Sequence, residues 1–505
     1  MVFSSTAILY LPLLLPFLSA VLCLFLRKNR RAHYVFSIVG SALLLGVAFL
    51  LLHQTGQREI LVVQAGGWPA PFGITLVADM LSALMISITA FVGLMMNIFS
   101  FQDIGRRHKY FGFFSFFHFL IMGVNGAFLA GDIFNLYVWI EVMLIASFVL
   151  LVLGNEKNQL IGTIKYMLLN FIASSFLLIG IGLVYGLSGS LNMADVALYF
   201  QENADDPMIT VAATFFMVPF AIKAAMFPVY FWLPDSYPAP PISVGALFAG
   251  LLTKVGVYAL FRLFTLVFVQ DITYTHGILL GAAGLTMLSG VLGAVSMNTM
   301  RKILSFHIIS QIGYMVMGLA LFSTLAIAGA IFFIIHNILA KANLFLIAGL
   351  VERIKGSSDL SAVGGVYQNF PVLSLLFLIP AFSLAGLPPL SGFWAKFLLI
   401  KAGFELDAYL ITAVAIITGL LTLYSMMKIW NNIFWAKAPS AAAPETFSSE
   451  WLFFRKYKSL IGPVILMAAA TFFIGLYSEP LMKYALIAAE QLMQPSTYIE
   501  AVSSQ

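Results

Sequence analysis

The chain has 505 residues, of which 61% are hydrophobic and only 9% are charged, a composition that excludes a soluble globular protein. The net charge of +5 is spread through short loops, so a nucleic-acid partner is not expected. The single cysteine, Cys23, excludes disulfides, iron–sulfur clusters and cysteine-based zinc sites within the chain, and no cofactor motif is present.

Apolar stretches long enough to cross a bilayer, about 20 residues each, recur along the whole chain. The first carries its positive charges after the apolar stretch, so it is interpreted as a span and not as a signal peptide. The predicted fold class is an all-α integral membrane protein with about 14 transmembrane helices, at residues 4–26, 32–53, 74–100, 109–130, 132–153, 159–187, 208–231, 241–265, 273–297, 302–322, 324–351, 370–402, 408–435 and 459–478.

The Lys and Arg residues between the predicted spans lie mostly on one face of the membrane. With an even number of spans the two termini share a face, and that face has little positive charge beyond Arg58 and Lys483. The other face carries Arg27, Lys28, Arg30, Arg31, Arg106, Arg107, Lys109, Lys157, Arg301, Lys302, Arg353, Lys355, Lys437, Arg455, Lys456 and Lys458. Because an excess of Lys and Arg marks the cytoplasmic side, we expect both termini outside.

Ionisable residues also fall within the predicted spans: Glu141, Lys165, Lys223, Lys254, Arg262, His307, His336, Lys341 and Lys396. Such a group at bilayer depth costs at least about 2.5–3.5 kcal/mol. Glu141 follows Asp132 by nine residues, which places it roughly 13 Å into a core about 30 Å thick. Arg262 and Lys165 are nearer the span ends, and their long side chains can reach the membrane interface.

These buried charges have two interpretations. A single Lys–Glu pair is often only a structural tie between helices, and a single histidine such as His336 is often a hydrogen-bonded core residue. Here the deep lysines outnumber the one deep carboxylate, Glu141. Some lysines must therefore be neutral part of the time, and lysines that exchange protons are what a proton path requires.

Two of the predicted spans are interrupted by proline and glycine next to a lysine. In "PFAIKAAMFPVYFWLP" (219–234) Lys223 precedes Pro228, and in "FSLAGLPPLSGFWAKFLLIKAG" (382–403) Lys396 follows Pro389. Proline breaks helical hydrogen bonding, and unpaired backbone inside a membrane is tolerated only where it lines an enclosed or hydrated cavity. Paired interruptions in two halves of a chain favour a transporter's ion path, although a single proline often only kinks a helix. We infer two five-helix repeats, each with one broken helix.

These residues also carry a family resemblance that covers nearly the whole chain. The chain resembles the antiporter-like membrane subunits of respiratory NADH–quinone oxidoreductase and of the Mrp-type multisubunit cation/proton antiporters. Within this group it looks most like the D subunits of the Mrp-type Na⁺/H⁺ antiporters. The motifs that carry the resemblance are "GGWPAPFGITLVADMLSALM", "GDIFNLYVWIEVMLIASFVLL", "IKAAMFPVYFWLPDSYPAPPISVGALFAGLLTKVG", "KILSFHIISQIGYM", "HNILAKANLFLIAGL" and "GLPPLSGFWAKF".

The resemblance implies a proton relay along a central polar axis. Matched by motif, Glu141 is the acid of the fifth span, Lys223 its partner, Lys254 the connecting lysine and Lys396 the terminal lysine. His336 and Lys341 match the polar eleventh span, where the choice between them stays open. The implied fold has two inverted five-helix repeats, at 109–265 and 266–435, between three N-terminal helices at 1–108 and a segment at 436–505. That segment comprises a cytoplasmic loop, the last helix and a C-terminal tail.

The predicted function is a proton-translocating subunit of a Na⁺/H⁺ antiporter in a bacterial cell (inner) membrane. The implied partners are protons, Na⁺, lipid, a larger homologous A subunit and small membrane subunits. One deep carboxylate is a poor Na⁺ site, because hard cations prefer several oxygen ligands, so protons are favoured here. The alternative is a proton-pumping, non-redox membrane subunit of NADH–quinone oxidoreductase or a related redox complex. Two other hypotheses, a self-sufficient solute carrier and a scaffold, explain the series of lysines within the spans less well.

Overall fold

The computed structural model describes residues 7–57, 59–70, 72–437 and 450–504. Two strands, β1 (Leu61–Ala65) and β2 (Ile74–Ala78), accompany the helices. The helices are α1 (Leu11–Phe25), α2 (Arg30–Thr55), α3 (Met80–Asp103), α4 (Arg106–Tyr110), α5 (Phe113–Leu129), α6 (Ile133–Val152), α7 (Lys157–Ser188), α8 (Met193–Glu202), α9 (Pro207–Ala224), α10 (Leu233–Ser236), α11 (Ile242–Leu266), α12 (Ile272–Ser296), α13 (Met300–Ala320), α14 (Thr324–Lys355), α15 (Val366–Asn369), α16 (Pro371–Ala385), α17 (Ser391–Glu405), α18 (Tyr409–Ile429), α19 (Glu450–Lys456), α20 (Lys458–Leu476), α21 (Glu479–Met493) and α22 (Pro495–Ser503).

The chain is a multi-pass membrane protein built almost entirely from helices. Within the described residues, 12 helices are long and apolar enough to cross a membrane. Two further apolar helices, α5 and α16, are shorter. Many of the long helices expose large apolar side chains on one side, as expected of helices that face lipid or a partner.

The predicted start of the third span is wrong, because a short β-hairpin precedes the helix. Residues 74–78, predicted as the start of the third span, form β2, which pairs antiparallel with β1. Helix α3 begins only at Met80, where the side chain of Asp79 accepts the backbone N–H of Ser82 at 2.9 Å. A carboxylate at this position satisfies a free N–H of the first helical turn, so it fixes the start of the helix. Arg58, on which the predicted topology partly rested, and residues 438–449 of the predicted cytoplasmic loop lie outside the described residues.

Polar residues in short loops set the starts of several other helices in the same way. Each accepts a backbone N–H from the first turn of its helix, as an N-cap does. These caps are Asn29 for α2, Asp132 for α6, Asn192 for α8, Asp206 for α9, Asp271 for α12 and Ser323 for α14.

The segment after the last predicted span, interpreted from sequence only as a tail, forms α21 and α22. In α21 the apolar residues recur at helical spacing and are buried, whereas the charged residues face outward. The side chain of Gln491 accepts the backbone N–H of Met80 at 3.0 Å, which ties α21 to the start of α3. The C-terminal part of the chain therefore closes over one end of the helical bundle.

Helix α14 is the central element of the bundle. Nearly every residue from Ala326 to Val351 is buried. The helix packs against α3, α11, α13, α16, α17, α20 and α21. Its side chains therefore meet residues from most of the chain, and this helix carries His336 and Lys341.

The same backbone contacts recur in two parts of the chain at a constant separation. Helices α7 and α14 both have 32 residues, and each ends at a glycine in the left-handed conformation, Gly189 and Gly356, 167 positions apart. The same separation relates the hydrogen bond from Ile133 N–H to Leu191 O with that from Met300 N–H to Ser358 O, both 2.9 Å.

Close glycine contacts follow the same separation. A Cβ at Gly123 in α5 would lie 2.6 Å from the backbone nitrogen of Met143 in α6. A Cβ at Gly290 in α12 would lie 2.4 Å from the backbone nitrogen of Ser310 in α13. Only glycine permits backbones to approach this closely, so the two helix pairs are packed alike.

Candidate proton-transfer axis

Both stretches in which proline predicts a broken helix leave the helical conformation. Helix α9 ends before Ala225, whose φ is +61°, and helix α16 ends before Gly386, whose φ is +92°. The breaks use matching hydrogen bonds, from Met226 N–H to Ala221 O at 2.9 Å and from Leu387 N–H to Phe382 O at 3.1 Å. The Lys396 side chain also packs directly on Gly386: a Cβ on Gly386 would lie 2.8 Å from the Lys396 Cδ.

Glu141 and Lys223 lie together beside the first break. The Lys223 Nζ is 4.0 Å from the Glu141 Oε1, with the lysine side chain 3% exposed and the glutamate 22% exposed. Ser174 of α7 lies between them: Lys223 Nζ donates to the Ser174 Oγ at 3.3 Å, and the Ser174 hydroxyl donates to the Glu141 Oε1. The predicted acid and lysine are therefore brought together, with a hydroxyl as the bridge.

Lys254 lies on the neighbouring helix and is fully buried. Its Nζ donates to the Ala249 carbonyl at 2.7 Å, and within the described ranges no carboxylate pairs with it. Two residues further on, a Cβ at Gly256 would lie 2.7 Å from the Ala224 nitrogen, so α11 packs against the end of α9 next to Lys223. The two lysine-bearing helices are thus in direct backbone contact.

Lys341 is fully buried in α14. It is within electrostatic range of both Lys254 and Lys396. Its Nζ makes one long hydrogen bond, 3.4 Å, to the Leu304 carbonyl. His307, within range of Lys341 and Lys396, shares a hydrogen bond with the Ser425 hydroxyl at 2.5 Å. Like charges this close oppose one another, so protonation of one lysine disfavours protonation of the next.

Lys396 lies beside the second break. Its Nζ donates to the carbonyls of Leu384 and Ala385, at 2.9 and 3.1 Å, at the C-terminal end of α16. The negative end of the helix dipole favours a cation at this place. The ammonium also lies 4.8 Å from the centre of the Tyr314 ring, within the range of a cation–π contact.

His336 connects α14 to both sides of the second break. Its Nδ1 shares a hydrogen bond with the Ser391 hydroxyl at 2.8 Å and a longer one, 3.3 Å, with the Ser383 hydroxyl. Ser383 lies in the last turn of α16, and Ser391 is the first residue of α17. Both His336 and Lys341 are buried on α14 and within electrostatic range of Lys396, but only His336 is hydrogen-bonded to both sides of the break.

The buried interior of the described part of the chain contains several polar side-chain atoms that no protein group hydrogen-bonds. Among the described residues, buried side-chain atoms without a hydrogen-bond partner in the protein occur in Thr253, His307, Gln311, His336, Asn337, Asn343 and Thr418. Buried polar groups in proteins are normally hydrogen-bonded, to water where no protein group is within reach. The environment of Lys254, Lys341 and Lys396 therefore suits bridging water molecules.

Comparisons with known proteins identify the family of this arrangement. The family described as "NADH:quinone oxidoreductase/Mrp antiporter, TM" matches residues 130–422. A protein of Alkalihalophilus pseudofirmus, named as the D subunit of a Na(+)/H(+) antiporter, is 46% identical over 495 residues, 97% of this chain and 98% of that protein. The chain belongs to the NADH:quinone oxidoreductase/Mrp antiporter family. The resemblance inferred from the sequence motifs is confirmed.

Two further relatives support the same assignment. A protein of Bacillus subtilis with the same name is 39% identical over 492 residues, 97% of this chain and 98% of that protein. A chain in the structure of the Mrp complex from a Dietzia species has 30% sequence identity and a TM-score of 0.91, covering 99% of this chain and 100% of that chain. The helical arrangement of this family member is therefore shared with a solved Mrp chain.

One ion pair of this Mrp-family chain lies away from the axis and is exposed. The Lys165 Nζ is 2.5 Å from the Asp235 Oδ2, with side-chain exposures of 49% and 39%. Together with Lys302 the pair lines a cavity of about 400 Å³ beside α10. The structure does not bring Lys165 to the Glu141–Lys223 pair.

Arg262, whose side chain the sequence allows to reach the membrane interface, is instead buried. Its Nη2 is 2.6 Å from the Asp79 Oδ2, with side-chain exposures of 4% and 2%. The guanidinium also lies 5.2 Å from the centre of the Tyr498 ring of α22. Asp79 is a second buried carboxylate, and its side chain is less exposed than that of Glu141, 2% against 22%. Asp79 was missed since it lies near the start of its predicted span.

Sequence reasoning also missed Ser174. Serine is common in apolar helices and carries no charge, so nothing in the composition of α7 distinguishes Ser174 from its neighbour Ser175. The constant separation of 167 residues is a signal that was available, because Ser174 corresponds in this spacing to Lys341. The sequence repeat "GVNGA" at 123–127 and "GVLGA" at 290–294 gives the same register.

Proposed function

We propose that this chain is the proton-translocating subunit of a multisubunit Na⁺/H⁺ antiporter, and hence a transporter subunit and not an enzyme. The relatives bear the name of a Na⁺/H⁺ antiporter subunit, and a solved chain of the Mrp complex has the same fold. The observation that carries the proposal is the set of buried amino groups between the two broken helices, with the Glu141 carboxylate beside the first of them.

The first half of the path works through charge balance. The Glu141 carboxylate stabilises the ammonium form of Lys223 while the two remain close. When they separate, the buried ammonium loses this stabilisation, and its proton passes to Lys254 on the helix packed against it. The break after α9 provides residues that can move without unfolding a continuous helix, and its open backbone can be hydrated.

The second half carries the proton from Lys254 through Lys341 to Lys396. Lys341 is the relay member on α14, because it is within electrostatic range of both lysines. His336 acts as a positioning residue: its hydrogen bonds to Ser383 and Ser391 hold the two sides of the second break. Mutual repulsion drives transfer, since a proton arriving at one lysine weakens proton binding at the next.

We also propose 14 membrane spans arranged around two repeats. The 12 long apolar helices, the short α5 and the broken α16–α17 pair give 14 spans. The repeated contacts at a separation of 167 residues support two five-helix repeats at 109–265 and 266–435, related by inversion in the membrane. Residues 1–108 then form an N-terminal three-helix part, and residues 436–505 hold a cytoplasmic loop, the last span and the C-terminal helices.

The partners of the chain follow from the coupling that antiport requires. We expect it to work beside a larger homologous A subunit and small membrane subunits in a bacterial cell (inner) membrane, with both termini outside. Na⁺ passes through a neighbouring subunit, and its charge shifts the balance between Glu141 and Lys223. Made alone, the chain should therefore not exchange Na⁺ for protons.

The test is exchange in vesicles that contain the whole complex. Lys223→Ala and Lys396→Ala should each abolish collapse of an imposed pH gradient on addition of Na⁺, with the complex still present in the membrane. Lys401→Ala is the matched control, because Lys401 lies on the same helix as Lys396 but is exposed and pairs with Glu405 at 3.6 Å. Near-normal exchange with Lys223→Ala would refute the relay.

Two further tests address the role of Glu141 and the need for the other subunits. Glu141→Ala should behave like Lys223→Ala, because it removes the carboxylate that stabilises the ammonium. The chain expressed without the other subunits should leave the pH gradient unchanged when Na⁺ is added. Collapse of the gradient by the isolated chain would show that it carries both ions and would overturn the division of labour.

A further inference from the structure

The pair formed by Glu141 and Lys223 is not directly hydrogen-bonded. Their charged atoms are 4.0 Å apart, which is too long for a hydrogen bond, because a side-chain contact of about 3.6 Å is already not one. A proton does not pass across such a gap without an intermediate group. The Ser174 hydroxyl occupies the gap and contacts both atoms.

The orientation of Ser174 is unusual for a helical serine. Serine within a helix commonly donates to the carbonyl four residues earlier, as the exposed neighbour Ser175 does to Phe171 at 3.0 Å. Ser174 is buried, and its hydroxyl donates instead to the Glu141 carboxylate on another helix. The Ser174 hydroxyl therefore donates to a member of the ion pair and not to a carbonyl of its own helix.

The internal repeat assigns Ser174 a place on the axis. Helices α7 and α14 begin and end at positions 167 residues apart, so Ser174 in α7 is the equivalent of Lys341 in α14. Asn170 and Asn337, four residues earlier in each helix, occupy equivalent positions. In the second half this position holds the lysine between two other lysines, and in the first half it holds the hydroxyl between a lysine and a glutamate.

We propose that the Ser174 hydroxyl carries the proton between Glu141 and Lys223. A hydroxyl suits this role because it accepts and donates one hydrogen bond at the same time, and can reverse both. In the forward step the protonated Glu141 gives its proton to the Ser174 Oγ while the hydroxyl proton moves to the neutral Lys223 amine. The products are a carboxylate, an unchanged serine and an ammonium, so atoms and charge balance.

This step reloads Lys223 after it has passed its proton to Lys254, and it rests on the proposed function of the chain. Without the hydroxyl, Glu141 still attracts the Lys223 ammonium across 4.0 Å, but the two groups no longer share a hydrogen-bonded path. Loss of Ser174 should thus slow turnover while leaving the ion pair and the assembly of the complex in place.

The test is the rate of Na⁺-dependent gradient collapse in vesicles holding the complete complex. Ser174→Ala should lower the rate at least about tenfold, since a positioned proton-transfer group contributes roughly 10²–10⁴-fold. Ser174→Thr, which keeps a hydroxyl, should restore most of the rate. Ser175→Ala is the matched control and should leave it unchanged. Retention of the complex during purification reports assembly for each variant.

Rescue by threonine separates proton transfer from a packing role. If Ser174→Ala lowers the amount of assembled complex, Ser174→Val provides the shape of threonine without a hydroxyl, and it should show the same loss of rate. A rate for Ser174→Ala that is less than about tenfold below that of the unmodified complex, or threonine as slow as alanine, would overturn the proposal. Such a result with Lys223→Ala still inactive leaves the proposed function intact, whereas active Lys223→Ala refutes the function itself.

Discussion

The buried pair of Arg262 and Asp79 allows a quantitative prediction about stability. Replacing Arg262 by methionine keeps a long apolar side chain but leaves the Asp79 carboxylate, 2% exposed, without its cation. Removing one partner of a buried ion pair costs about 3–5 kcal/mol, because the remaining charge stays out of water. The same ion-pair distance at the surface is worth at most about 1 kcal/mol.

The exposed ion pair described above provides the comparison. Lys165 and Asp235 are 2.5 Å apart, and Arg262 and Asp79 are 2.6 Å apart, but the first pair is about half exposed. Lys165→Met should therefore lower the free energy of unfolding by less than about 1 kcal/mol. Arg262→Met should lower it by about 3–5 kcal/mol, which reduces the ratio of folded to unfolded protein more than 100-fold, since each 1.4 kcal/mol is a factor of about ten.

The assay is denaturation of the purified complex in detergent. Protease resistance of the C-terminus reports whether α22 stays packed against the bundle. The double variant Arg262→Met with Asp79→Asn is the decisive member of the series. Asparagine removes the charge but still caps α3, so the double variant should be more stable than Arg262→Met alone. The reasoning fails if Arg262→Met is as mild as Lys165→Met, or if the two substitutions in Arg262→Met/Asp79→Asn add without coupling.

Two predictions concern the axis and the topology. In the vesicle assay Lys341→Ala should abolish exchange, whereas His336→Ala should slow it and leave a measurable rate, because the histidine is hydrogen-bonded to both sides of the second break and Lys341 is the group within range of both Lys254 and Lys396; equal loss in both would contradict this assignment. In a Cys23→Ala background, cysteines placed at the exposed Gly105 and Ala204 should react with a membrane-impermeant maleimide from opposite sides of the membrane, and labelling of both from one side would refute the 14-span topology.

The features that the sequence predicted correctly are those with a strong local cause. The prolines near Lys223 and Lys396 remove backbone donors wherever they occur, so both breaks were located in advance. Apolar length alone defined nearly all the long helices. A buried lysine is costly in any membrane fold, so Lys254 could be expected to face the interior without knowledge of its neighbours.

The features that the sequence did not predict depend on contacts between distant segments. Asp79 lies near the start of its predicted span, and the structure buries it against Arg262 of α11, whose guanidinium also contacts Tyr498 of α22. The role of Ser174 follows from the position of two other helices, which no local pattern records. Helix α21 was missed because it is short and Glu479, Lys483 and Glu490 interrupt its apolar residues, and a hydropathy search for spans does not detect an amphipathic helix.

The burial of α14 has a consequence for how the chain can move. Carriers of the alternating-access type expose their site to each side in turn by tilting one half against the other. Helix α14 packs at once against α11 of the first half and α13, α16 and α17 of the second. Tilting the halves would pull many apolar side chains out of contact, and each such side chain contributes about 1.5–3 kcal/mol when fully buried. We therefore expect a rigid conductor, whose rate is set by the reorientation of side chains and of the residues in the two breaks.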